Sequence, residues 1–98
     1  MTYNAFQNFC KKASLYQSFG EYASEFDEES NKLYFCWNYG RDRSFFNLHK
    51  LSGLSQAAFA RSYQIPLRCI EDWLHSRRAA PSYVIDLLAF SVFSDLYF

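Results

Sequence analysis

An all-α fold is predicted by three observations. Apolar residues recur at helical spacing along most of the chain, and the runs begin on capping residues or close on glycine. The one stretch that alternates as a strand would, Lys32 to Tyr39, has no β-branched residue and no evident partner strand. Half of the 98 residues are hydrophobic and 21% are aromatic. That content excludes a disordered tail, because enough apolar surface is available to offset the entropy of ordering. It also exceeds what one small core needs, so some rings are expected to face a partner.

The elements follow in order. Phe6, Phe9, Cys10, Ala13 and Tyr16 form the first helical stripe. Ser18-Phe-Gly-Glu21 has the form of a capping box, predicting a short helix to Phe26. Asp27 to Asn31 is a charged connector without apolar residues, the best internal boundary. From Lys32 to Tyr39 two patterns compete. Leu33, Phe35, Trp37 and Tyr39 alternate, whereas Leu33, Cys36, Trp37 and Gly40 fit a helix ending on a C′ glycine. The helix is preferred. Phe45, Phe46, Leu48 and Leu51 then form a stripe from Ser44 to Gly53, and Ser55 caps the next helix, with Ala58, Phe59 and Tyr63 as its apolar positions. Gln64-Ile65-Pro66 is a turn, with Pro66 where a first-turn proline is tolerated. Leu67 to His75 is a helix with Ile70 and Trp73 inward. Pro81 opens the last one, Tyr83 to Leu96, which is apolar around most of its circumference. Residues 1–40 are thus read as a helical extension and 41–98 as a second domain.

The run from Gly53 to Trp73 carries Gly-Leu-Ser-Gln at its start, a small Ala60 inside one helix, Ile65 in the turn, and Ile70 and Trp73 in the next helix. In this respect the segment from about residue 44 to 92 resembles the XRE family, the helix-turn-helix group that includes lambda-type repressors and Cro proteins. The spacing also has a physical reason: a small Ala60 lets two helices cross closely, while Phe59, Ile65, Ile70 and Trp73 fill the angle between them. Leu67, Arg68, Glu71, Asp72 and His75 are then expected on the outer face, where a helix in a ~12 Å major groove reaches base edges.

The resemblance implies a sequence-specific regulator of duplex DNA, of phage or mobile-element type. It gives Gln56 a phosphate contact, Leu67, Arg68 and Asp72 base-reading positions, and His75, Arg77 and Arg78 contacts to the backbone. The chain departs from the family where Ser76 replaces a frequent glycine and Cys69 a frequent threonine. His49 and Leu74 also replace the two partners of a buried salt bridge. A rival reading makes the scaffold a protein-binding inhibitor of anti-CRISPR-like kind. The acidic, aromatic extension would then be its contact surface, with Tyr34, Trp37 and Tyr39 facing a host protein.

Zero net charge conceals an asymmetry. Met1 to Tyr39 sets three lysines against five carboxylates, whereas Arg43 to Ala80 sets six basic residues against Glu71 and Asp72. The basic stretch is where a phosphate backbone can sit. Three widely spaced cysteines, Cys10, Cys36 and Cys69, imply free thiols and a reducing cytoplasmic compartment. No Cys-x-x-Cys or His-x₃-His spacing suggests a metal, and no nucleophile–base pair suggests catalysis, so no metal, cofactor or enzyme activity is expected. The apolar run Leu87 to Ser94 is far short of the ~20 residues a membrane span needs, so no membrane partner is expected. The leftover apolar face of the last helix is expected to be covered by the extension or by a second subunit, with a homodimer favoured.

Overall fold

The computed structural model describes residues 1–98. Seven α-helices and one 3₁₀ turn, with no strand, make an all-α fold. They are α1 (Tyr3–Lys12), α2 (Phe19–Ser24), α3 (Ser30–Arg41), α4 (Phe45–Ser52), α5 (Gln56–Tyr63), α6 (Leu67–Leu74) and α7 (Ser82–Tyr97). The chain forms two compact units. One contains Met1–Asp42 with Phe93–Phe98, and the other Arg43–Val92, so the end of α7 belongs with the N-terminal helices.

Local capping chemistry places most boundaries. Thr2 caps α1 by accepting from the Ala5 N–H at 3.1 Å, and Ser18 caps α2 by accepting from the Glu21 N–H at 3.2 Å. Glu21 reaches back to the Gln17 N–H at 3.4 Å, one residue before the cap. The first stripe does not continue as α-helix to Tyr16. It tightens into a 3₁₀ turn over Ala13–Leu15.

In the first unit α1 and α3 cross at Gly40. A Cβ there would run into the Cys10 carbonyl and meet the Ala13 Cβ at 3.0 Å. This corrects one expectation: α3 does not end on Gly40 as a C′ residue but runs on to Arg41, and the glycine serves a close approach of two backbones. The rings divide into two groups. Phe6 packs against Phe35 and Phe93, with centroids 6.3 and 5.0 Å away. Tyr22 packs against Phe26 and Trp37 at 5.0 and 5.3 Å. The Tyr22 hydroxyl is buried but not orphaned, since it donates to the Phe9 carbonyl at 2.9 Å, and burial pushes its pKa well up.

The second unit has its own core, centred on Phe45, Leu48, Phe59 and Ile70. Phe45 meets Phe59 edge-on at 5.5 Å and Trp73 at 5.1 Å. Arg43 ties the start of the unit to α7 through Asp86, at 3.1 Å. The helices α4, α5 and α6 each end on a left-handed residue: Gly53 (φ 69°), Gln64 (φ 54°) and Ser76 (φ 58°). After Gln64 the Ile65 N–H bonds to the Ala60 carbonyl at 3.0 Å. After Ser76 the Arg77 N–H bonds to the Asp72 carbonyl at 2.9 Å. Both are Schellman closures built without glycine. Pro66 stands at the cap of α6, one position before its first turn. Its carbonyl accepts from Cys69 and Ile70.

Candidate nucleic-acid interface

The pair α5–α6, joined by the turn Gln64–Pro66, presents most of the residues singled out in the sequence. Gln56 is the first residue of α5 and half-buried. Leu67 and Arg68 open α6 and are exposed, as are His75, Arg77 and Arg78 at its far end. The His75 Nδ1 lies 2.8 Å from the Glu71 carbonyl. A carbonyl only accepts, so Nδ1 carries the proton and Nε2 is left for another partner.

Asp72 departs from expectation. Instead of standing free on the outer face it is 7% exposed. Its Oδ1 accepts from the Arg77 Nε at 2.8 Å and lies 3.5 Å from the Arg68 Nε. The Arg77 hydrogen bond, reinforced by the charges of both arginines, holds its carboxyl below the usual aspartate range. Arg77 hydrogen-bonds it and Arg68 stands within ion-pair distance, and the left-handed Ser76 turns the chain back so that Arg77 can reach. Asp72 is therefore not free to meet a base edge or repel a phosphate directly. It has become the anchor of the two arginines, with side chains 81% (Arg68) and 54% (Arg77) exposed. The helical period of α6 could not reveal this, because Arg77 lies beyond the helix end.

His49 occupies the space between two rings, stacked on Phe45 at 6.4 Å and edge-on to Phe59 at 5.7 Å. Its Nε2 is buried and has no hydrogen-bond partner. An unmet buried polar atom costs about 1–3 kcal/mol. Replacing the ring by an apolar side chain of similar size should recover part of that, so His49→Leu is expected to raise stability by about 1 kcal/mol. A urea midpoint equal to or below that of the unsubstituted protein would contradict the reading.

The aromatic surface proposed for the extension is smaller than expected. Tyr34 is exposed (51%) and Trp37 half-buried. Tyr39 is fully buried and stacks on Phe6 at 6.2 Å, so it cannot face a partner. Phe46 and Tyr83, which sequence patterning placed on helices without marking as surface, are more exposed than either. Cys10 and Cys36 are buried free thiols, and Cys69 is a half-buried one. No three His, Cys, Asp or Glu side chains converge as metal ligands. No helix is long and apolar enough to cross a membrane. No protein-family model, curated protein or solved structure matches the chain.

Proposed function

We propose that the protein is a non-catalytic, sequence-specific regulator that binds duplex DNA with α6 in the major groove. One observation carries the reading: a short helix beyond a three-residue turn displays Arg68 at its start and Arg77 and Arg78 just past its end, all exposed. A helix so placed can aim its first side chains at base edges while the residues beyond it meet phosphates. The resemblance of residues 44–92 to XRE repressors supports the same assignment. The burial of Asp72 supports it too, since a carboxylate covered by two arginines opposes a phosphate less than a free one does. We further propose that two copies act together, because Tyr83 and Leu87 leave an exposed apolar strip one turn long on α7. Paired units ~34 Å apart would meet successive major grooves.

The test is a titration against duplexes enriched from a randomised pool, at two salt concentrations, with Arg68→Ala and Arg77→Ala alongside. Arg68→Ala should cost about 1–3 kcal/mol on the enriched duplex and relax preference at one position. Arg77→Ala should weaken binding to every sequence alike and reduce the salt slope by about one. Sedimentation of the complex should give two protein copies per duplex. The rival, a protein-binding inhibitor using the exposed Tyr34, expects no salt-sensitive binding and no effect of either substitution; that outcome would remove the DNA reading.

A further inference from the structure

Asp72 joins two arginines that lie on either side of it in sequence, four residues before and five after. Its backbone and its side chain act at the same point. The carbonyl closes α6 by accepting from the Arg77 N–H at 2.9 Å and the Arg78 N–H at 3.4 Å, while the carboxylate takes the Arg77 side chain at 2.8 Å. Both arginines meet the same oxygen, Oδ1, and both do so through Nε.

The choice of nitrogen matters. A guanidinium has five N–H donors in a flat fork. Contact through Nε leaves the two terminal nitrogens unused, and that outer edge is the one that pairs bidentately with guanine O6 and N7 or with phosphate oxygens. At Arg77 the hydrogen bond also fixes torsions that a free arginine would have to order on binding, while Arg68 is drawn toward the same oxygen by charge. Asp72 is 7% exposed while the arginine side chains are 81% and 54% exposed, so it can hold them without occupying the surface they present.

We propose that Asp72 is a positioning residue for recognition, holding Arg77 by the hydrogen bond at its Nε and Arg68 by the ion pair at 3.5 Å, so that Arg68 faces a guanine edge and Arg77 a neighbouring phosphate. The proposal rests on the DNA reading above. It assigns an acidic residue a favourable role on a face where acid alone would oppose binding. The ionised form needed for the grip is the one that the two arginines favour.

The experiment uses the full chain and three probes: a duplex enriched from a randomised pool by the unsubstituted protein, the same duplex with its preferred guanine replaced, and a mixed-sequence duplex. Asp72→Ala should lower discrimination between the first two by about tenfold or more, while binding to the mixed duplex weakens by no more than in Arg77→Ala, because the phosphate contact is loosened as a negative charge is removed. In an Arg68→Ala background Asp72→Ala should cause no further loss of discrimination, since the residue acts through Arg68. A merely structural role would instead weaken all three duplexes by one factor and add to Arg68→Ala. Asp72→Asn keeps the shape and a neutral acceptor, and should retain helical content with intermediate discrimination. Should the alanine variant not fold, unchanged discrimination in the asparagine variant overturns the proposal. Binding that survives with discrimination intact in Asp72→Ala removes this inference alone. Absence of duplex binding by the unsubstituted protein removes the DNA reading and the inference together.

Discussion

Phe59→Ala should bring the second unit close to unfolding at room temperature, with a loss of about 3–5 kcal/mol. The ring is fully buried between Phe45 and His49 of α4, at 5.5 and 5.7 Å, and Tyr63 of its own helix α5, at 4.8 Å. Ile70 of α6 is buried in the same unit. Removing the ring deletes its transfer free energy and leaves a cavity that these rigid side chains refill poorly. A unit of this size has little stability to lose, since whole domains hold only about 5–15 kcal/mol. The measurement is urea unfolding followed by Trp73 fluorescence in a Trp37→Phe background, which silences the tryptophan of the other unit. A loss below about 1 kcal/mol would mean that Phe59 is not the centre of the core. Because this core holds α6 against α5, duplex binding should fail with it, unlike in Arg68→Ala, where the fold survives.

That contrast reflects what could be read from the residues. Ser18 and Ser55 were legible as caps because capping is local: each hydroxyl accepts from a backbone N–H three residues on. Gly53 was legible for the same reason, since its left-handed conformation is one glycine adopts without strain. Gln64 and Ser76 adopt the same conformation without glycine, so nothing local announced them. Lys32 to Tyr39 looked ambiguous because α3 is buried on more than one side. Leu33, Phe35, Cys36 and Tyr39 are all covered, and a helix buried over a wide arc acquires alternating positions that mimic a strand. The same breadth of burial removed Tyr39 from the expected surface. Asp72 was misplaced for a different reason. The helical period sets it on the outer face beside Arg68, and only the return of the chain through Ser76 brings Arg77 back to cover it.

Gly40→Ala should be the more damaging of two glycine substitutions that sequence patterning treats as equivalent helix ends. If Gly40 were a C′ residue its cost would come from a positive φ, about 1–2 kcal/mol for any side chain in the left-handed region. Its φ is not positive, and Gly53 is the chain's one glycine with that conformation. Alanine is intrinsically better than glycine inside a helix by about 1 kcal/mol, so propensity alone predicts that Gly40→Ala stabilises α3. Packing reverses the sign. The new methyl would overlap the Cys10 carbonyl oxygen, approach its carbon to 2.9 Å and the Ala13 Cβ to 3.0 Å. Two of those atoms are backbone in the last turn of α1 and have no rotamer by which to move aside. Relief therefore means separating α1 from α3, which loosens the packing of Phe6 on Phe35 and Tyr39 along the same contact. We expect a loss on the order of 3 kcal/mol, read from the unfolding of the first unit by Trp37 fluorescence in a Trp73→Phe background. Gly53→Ala meets no atom within 4 Å and should cost the second unit only about 1 kcal/mol, the conformational term alone. Gly53→Ala proving the costlier of the two, or Gly40→Ala proving neutral, would show that α1 and α3 do not approach as closely as Gly40 permits.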